Sequence, residues 1–183
     1  TGITGQDGSY LAEFLLAKGI VKSKLPGCRH YVVATFFAPP VHKERTTLVP
    51  PILRPEILAS QREPGPHVVV YQTAASNAAL IPMLQSLPYE FRVYGMGREG
   101  REGNVSLRLF SERGFIDDLR TARAVLAGGG FSLMSECVHL RLPMYSVPLE
   151  GQFEQELNAR YLAALGYGAW SRRWQREPIE QFL

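Results

Sequence analysis

The sequence predicts an α/β fold in which a parallel sheet carries helices on both faces, preceded by a short helix–strand appendage. Strand-like and helix-like segments alternate at short intervals from residue 67 to the end of the 183-residue chain. Glycines directly follow one of these apolar strands, as is typical of a strand that turns into a helix. Prolines concentrate before residue 67 and separate an N-terminal piece from the regular part.

The N-terminal part divides into two predicted segments. Residues 1–29 predict a glycine loop, a helix with an apolar stripe, and a basic connector. Residues 30–66 predict a β-branched and aromatic strand at 30–37, followed by a proline-rich inter-domain linker that holds a short helix at 55–60.

Residues 67–183 predict one domain in which strands and helices alternate. Short apolar runs predict strands at 67–71, 91–94, 105–109, 124–127 and 144–147. Helical patterns lie at 77–87, 115–122, 132–140 and 154–165, with a last helical turn in 177–183. The glycine-rich, charged stretch at 95–104 predicts a surface loop.

The composition narrows the class of function. Hydrophobic residues make up 45% of the chain and charged residues 20%, which is ordinary for a soluble globular protein. The net charge of +3 comes without a dense basic stripe, so we expect no nucleic-acid partner. The basic cluster at 172–176 is interpreted as a solvated face, and nothing else in the sequence supports a membrane contact. No apolar run approaches the roughly 18 residues that cross a bilayer.

The cysteines and histidines predict neither disulfides nor a metal site. Cys28 and Cys137 lie far apart and are expected to be reduced thiols in a cytoplasmic protein. The four histidines do not fall at metal-ligand spacing, and no cysteine pairs with them. The sequence begins at Thr1 inside what looks like a motif, so we expect a fragment or a trimmed piece of a longer protein.

Residues 128–158 hold the densest set of candidate binding residues. Gly129 and Gly130 lead from a strand into a helix, where a phosphate can approach backbone N–H groups, and Ser132 adds a hydroxyl. Glu136, about one turn inside that helix, has two oxygens that suit a ribose diol. A tight turn that merely needs glycine and a solvent-facing glutamate explain the same pattern, so both interpretations stay open here.

Two further loops follow predicted strands. Glu154 and Gln155 offer hydrogen-bond partners for sugar hydroxyls, but they also suit the polar first turn of a helix. Thr73, Ser76 and Asn77 follow the strand at 67–71 and could contact a diphosphate, although Ser76 and Asn77 are equally good helix caps.

A glycine run at the start of the chain suggests a different ligand. Gly2, Gly5 and Gly8 form G-x-x-G-x-x-G, which suits a pyrophosphate if a strand precedes it. The sequence in hand begins at this loop, and the missing strand is the main objection to a dinucleotide site.

Residues 30–183 resemble the C-terminal half of a GT-B glycosyltransferase, in the group related to the N-acetylglucosaminyltransferase of peptidoglycan synthesis. The resemblance rests on the segments YVVATFFAPP, TTLVPPILRPEIL, HVVVYQTAASN, GFIDDL, AGGGFSLMSE and LPMYSVPLEGQFEQELNARYLAALGYG, in that order. It implies a Rossmann-like domain, residues 67–183, that binds a nucleotide-sugar donor, with UDP as the expected nucleotide and no metal. It also implies that most of the acceptor domain is missing, and with it the catalytic base.

The resemblance implies a role for each candidate residue. Phe115 and Ile116 would hold the base through backbone and apolar contact, and Glu136 would bind the ribose hydroxyls. The remaining residues would meet the diphosphate and the donor sugar: Gly129, Gly130, Ser132 and residues 73–77 at the diphosphate, and Glu154 and Gln155 at the sugar.

Residues 1–20 resemble instead the start of a GDP-mannose 4,6-dehydratase, because TGITGQDGSYLAEFLL is close to the NADP loop of that family. NADP would then be the cofactor, bound at Gly2, Gly5 and Gly8. The family's Tyr-x-x-x-Lys pair is not found, since none of the eight tyrosines has a lysine four residues later.

Three functions therefore stand as expectations. The first is the donor-binding part of a glycosyltransferase, the second is an NADP-binding dehydratase-like protein, and the third is an inactive fragment that serves as an interaction module. The face left by the missing domain is expected to be apolar and exposed, so we also expect homo-oligomers.

Overall fold

The computed structural model describes residues 29–36, 44–72 and 79–183, and the chain divides into two units, residues 1–52 and 53–183. In the first unit, strand β1 (Tyr31–Ala34) pairs in parallel with strand β2 (Thr46–Val49). The predicted strand at 30–37 is thus present as β1. The TTLV run of β2 falls in the segment predicted as linker, because β-branched residues pair here just before the prolines.

The second unit is built on a seven-stranded sheet with the order β5-β6-β4-β3-β7-β8-β9. Every neighbouring pair is parallel except β5 and β6, which run antiparallel. The strands are β3 (Val68–Tyr71), β4 (Phe91–Tyr94), β5 (Gly100–Glu102), β6 (Val105–Arg108), β7 (Ala124–Ala127), β8 (Met144–Ser146) and β9 (Gly168–Trp170). The helices are α1 (Pro55–Ala59), α2 (Leu80–Gln85), α3 (Glu112–Thr121), α4 (Phe131–His139), α5 (Phe153–Ala164) and α6 (Arg176–Phe182).

One face of this sheet packs on α2 and α6. Val68 and Val70 of β3 share a buried apolar cluster with Leu80 and Leu84 of α2 and with Ile179 of α6. All five side chains are at most 1% exposed, so this cluster holds the two helices against the sheet.

The opposite face packs on α3. Arg92 and Tyr94 of β4 both reach Asp118 of α3, while Val93 between them belongs to the cluster on the other side. Successive side chains of a strand point to opposite faces, so helices cover both faces of the sheet. The predicted α/β fold with a mostly parallel sheet is confirmed.

The differences from the predicted elements are local. Helix α3 begins at Glu112 and not at residue 115, because Ser111 caps it by accepting a hydrogen bond from the Gly114 N–H at 3.4 Å. Strand β5 lies in the predicted loop at 95–104, and β9 follows α5 where no strand was predicted. The predicted helix at 77–87 is described only from Ala79 onward, as α2.

Candidate functional site

Several candidate residues follow strands β7 and β8, which are parallel neighbours in the sheet. The carboxyl ends of parallel strands share one edge, and that edge is where α/β sheets bind ligands. Residues 128–130 leave β7 there, and residues 147–152 leave β8. The two loops are therefore side by side.

The glycine loop at 128–130 joins β7 to the nine-residue helix α4. A Cβ added at Gly129 would lie 2.2 Å from the backbone oxygen of Gln155, so the first turn of α5 packs directly on this glycine. A Cβ at Gly130 would meet nothing within 4 Å. Gly129 is thus required by packing, whereas exposed Gly130, at the start of α4, has open space in front of it.

Gln155 ties the two loops together. Its Oε1 accepts hydrogen bonds from the N–H groups of Gly129 and Leu149, both at 3.1 Å, and its Nε2 donates to Oε1 of Gln152 at 2.7 Å. Buried Asn158, which lies one turn further along α5, donates from Nδ2 to the Gly129 carbonyl at 3.0 Å. The side chain of Gln155 therefore shapes the glycine loop, and Asn158 joins the candidate set for the same reason.

Glu136 is buried on α4, with 5% of its surface exposed, and its partner is an arginine that the sequence analysis did not single out. Arg54 donates from Nε to Oε1 at 2.7 Å and from Nη2 to Oε2 at 2.8 Å, which is a two-point guanidinium–carboxylate pair. Its Nη1 also donates to Glu112 at the start of α3, at 3.2 Å. These bonds, led by the one to Glu136, raise the pKa of Arg54 above its ordinary value.

The backbone of Arg54 is fixed by the residues that follow it. Arg54 precedes Pro55, which restricts it to extended geometry, and its φ of −64° and ψ of 141° place it as the N-cap of α1. Its carbonyl accepts hydrogen bonds from the N–H groups of Ile57 and Leu58 at 3.0 and 3.1 Å. Ile57 is fully buried and anchors this turn. The Arg-Pro pair was the only local signal that could have drawn attention to Arg54.

Phe115 lies in the interior of α3. Its ring packs edge-on against Tyr94 at 4.9 Å and Tyr71 at 5.5 Å, and only 4% of the residue is exposed. Its backbone N–H donates to the Ser111 carbonyl at 2.8 Å. Phe110 stacks at a tilt on Phe115, 5.6 Å between ring centres, and is 59% exposed. Phe110, just before α3, is thus an exposed apolar group that could contact a ligand. It was not among the residues predicted from the sequence.

Ile116 borders a surface cavity of about 730 Å³ between α1 and α3. The cavity is rich in charged side chains, and it is lined by Glu56, Ala59, Ser60, Gln61, Glu63, Glu112, Arg113, Ile116, Asp117 and Arg120. Ser132 and Glu154 are exposed on the first turns of α4 and α5. Thr73, Ser76 and Asn77 lie outside the described residues, as do Gly2, Gly5 and Gly8.

The basic cluster at 172–176 is largely paired with acids. Arg172 lies 3.5 Å from Glu156, and Arg176 lies 3.4 Å from Glu180. The side chains of both arginines are more than half exposed. This pairing agrees with the interpretation of the cluster as a solvated face.

Within residues 29–36, 44–72 and 79–183, no helix combines the length and the apolar character that a membrane span requires. The same residues contain no group of three or more His, Cys, Asp or Glu side chains that could hold a metal ion.

Comparison with known proteins points to one family. Residues 6–183 match the model of glycosyl transferase family 1. None of the curated proteins matches the chain. Among solved structures, 54 chains match, and three of them illustrate the likeness.

The three structures share the fold with this chain. The glycotransferase of kitacinnamycin has a TM-score of 0.57 and 15% identity over 75% of this chain and 40% of its own. MurG of Acinetobacter baumannii has a TM-score of 0.55 and 13% identity over 89% of this chain and 52% of its own. LpCGTa, solved in complex with UDP, has a TM-score of 0.53 and 18% identity over 75% of this chain and 37% of its own. The chain thus spans about half or less of the length of these proteins.

Proposed function

Because this chain belongs to glycosyl transferase family 1, we propose that its second unit binds a nucleotide-diphosphate sugar, with UDP as the nucleotide, at the carboxyl edge of its sheet. The observation that carries the proposal is the glycine loop, which α5 holds in place through Gln155 and Asn158 while Gly130 faces open space at the start of α4. Glu136 lies one to two turns further along the same helix.

The diphosphate belongs at the loop in this proposal. Backbone N–H groups at a helix start, together with the helix dipole, favour a phosphate. Exposed Ser132 adds a hydroxyl on the first turn of α4. Strand β3 pairs in parallel with β7, so these two strands end at the same edge of the sheet. Residues 73–77 come shortly after β3 in the sequence and are proposed as the second side of the diphosphate site.

The nucleoside would lie between α4 and the start of α3. Glu136 is proposed to accept hydrogen bonds from the ribose diol. Apolar contact with the base is assigned to Ile116 and Phe115, with exposed Phe110 stacked on Phe115 as the group nearest solvent. The UDP complex of LpCGTa, which shares the fold, supports UDP as the ligand to test first.

The donor sugar would contact Glu154 and Gln155. In transfer, the helix start and Ser132 would stabilise the departing diphosphate without a metal or other cofactor. The neighbouring structures are about twice as long as this chain, so the acceptor and its catalytic base are assigned to a domain outside this sequence. Glycosyl transfer by the complete protein is therefore part of the proposal.

Calorimetric titration of the whole chain with UDP tests this site. We expect a saturable heat that Glu136→Ala weakens by about 10- to 100-fold, the equivalent of losing one or two hydrogen bonds. Glu154→Ala is the matched control: it removes a carboxylate from the sugar position and should leave UDP affinity unchanged.

Equal UDP affinity in wild-type protein and Glu136→Ala would contradict the assignment of Glu136. Saturable binding of NADP that Gly5→Ala removes would favour the dehydratase-like alternative. A folded chain that binds neither nucleotide would leave only the interaction module.

A further inference from the structure

We infer that Arg54 is a latch on the nucleoside position: its guanidinium occupies the carboxylate of Glu136, and a ribose can bind there only after the Arg54 side chain has rotated away. The inference rests on the proposed function. It adds a closed state of the site, in which Arg54 of the protein itself is bound to Glu136.

The Arg54 guanidinium and a ribose diol exclude each other at Glu136. Arg54 engages both oxygens of Glu136, at 2.7 and 2.8 Å, in the two-point geometry that a ribose diol would also need. The side chain of Glu136 is 7% exposed and that of Arg54 is 27% exposed, so the carboxylate is almost closed to solvent while the arginine remains partly accessible. A diol and the guanidinium fork cannot hold the same two oxygens face to face.

The latch can open without refolding of the protein. The Arg54 backbone is fixed by Pro55 and by the first turn of α1, so opening requires only rotation about the bonds of a long side chain. The further contact, from Nη1 to Glu112, involves a carboxylate that is 61% exposed. Exposed pairs of this kind add little, so this contact guides the arginine and does not lock it.

The latch lowers the apparent affinity for the nucleotide. A ligand that binds only the open state has its apparent affinity reduced by the fraction of molecules that are open. For an open state of about one tenth of the molecules, the upper end of the usual range for a minor state, nucleotide affinity is about tenfold lower. Removing the arginine should recover that factor.

The test is calorimetric titration of the full chain with UDP, in which Arg54→Gln should bind about tenfold more tightly than the wild-type protein. Arg120→Gln is the matched control. Arg120 also bridges two carboxylates, Glu63 and Asp117, and its side chain is 30% exposed, but it does not touch Glu136. We expect UDP affinity to be unchanged in the control.

Two milder variants keep the test valid if Arg54→Gln fails to fold. Arg54→Lys retains the charge but cannot form the two-point fork, so it should also tighten UDP binding. Glu112→Gln leaves the pair with Glu136 in place but weakens the guiding contact, so a gain of about twofold is expected. Circular dichroism checks that each variant is folded.

Equal or weaker UDP binding by folded Arg54 variants would overturn the latch, and so would the same gain in Arg120→Gln. When the Arg54 variants fail in this way but the wild-type protein binds UDP and Glu136→Ala does not, the latch is overturned and the proposed function stands. If neither the wild-type protein nor any Arg54 variant binds UDP, both ideas are overturned.

Discussion

Two buried carboxylates of the second unit are neutralised by arginine in different ways. Asp118 on α3 accepts bonds from Arg92 Nη1 at 2.5 Å and from the Tyr94 hydroxyl at 2.5 Å, and Arg108 Nη1 lies 3.1 Å away. All three partners are on strands β4 and β6, within the sheet. Glu136 on α4 is held at both oxygens by Arg54, which precedes the first turn of α1.

Burial alone does not distinguish the two carboxylates. Asp118 is 4% exposed and Glu136 is 5% exposed, so a measure of exposure treats them alike. Several partners on rigid strands hold Asp118 in place, and losing one of them leaves the others. Among the described residues, one arginine with a long side chain holds both oxygens of Glu136, and the latch inference is that a ligand of similar geometry replaces it. The first arrangement suits a structural role, and the second suits a binding role.

The largest expected effect comes from removing the charge of Asp118. Asp118→Asn leaves two arginines without their shared carboxylate, and we expect the free energy of unfolding to fall by about 3 kcal/mol, since breaking a buried pair leaves uncompensated charge. Glu136→Gln should cost only about 1 kcal/mol, because one arginine is affected and it keeps its ion pair with Glu112. Urea unfolding followed by tryptophan fluorescence measures both.

Asp117→Asn, on the same helix but with a side chain 53% exposed, is the control and should change stability by less than about 0.5 kcal/mol. Equal losses for Asp118→Asn and Glu136→Gln would break the distinction between the two carboxylates.

The next effect concerns the glycine loop that precedes Glu136. Gly129→Ala places a methyl group against the Gln155 backbone, which must move, and we expect a loss of about 2 kcal/mol in stability together with weaker UDP binding. Gly130→Ala meets no neighbour and serves as the matched control for stability. If the two variants unfold at the same urea concentration, then α5 does not depend on close approach to Gly129.

The sequence predicted the central strands and the position of Glu136, but not the short strands at the sheet edges. Val68–Tyr71 and Ala124–Ala127 are short apolar runs, so the central strands were predictable, and so was the position of Glu136 inside the helix after the glycines. The three-residue strands β5 and β9 have no periodic pattern of their own, and pairing with β6 and β8 defines them.

The partner of Glu136 was not predictable for a similar reason. Arg54 lies 82 residues earlier in the chain, in a segment whose prolines indicated a linker. One sequence gives no signal that joins two residues across such a distance. The roles assigned to Thr73, Ser76 and Asn77 stay predictions, because these residues lie outside the described part of the chain.

The smallest effect is a pH dependence that belongs to the Asp118 region. His67 is buried, its Nε2 lies 2.9 Å from the Asp118 carbonyl oxygen, and burial, more than any other cause, lowers its pKa below the ordinary value of 6.5. The unfolded chain therefore takes up a proton as the pH falls below about 6.5, while the folded protein stays neutral at this site. The contribution of His67 to stability is complete above pH 6.5 and declines toward the lower folded pKa, by at most about 1.4 kcal/mol per pH unit.

Urea unfolding of the wild-type protein and of His67→Gln between pH 5 and 7.5 measures this contribution as the difference between the two slopes, with exposed His139→Gln as the control. Because His67 contacts Asp118 and not Glu136, Glu136→Gln should retain the wild-type slope. A slope that disappears in Glu136→Gln but persists in His67→Gln would place the titrating group beside Arg54, and the two carboxylates would then no longer behave as separate sites.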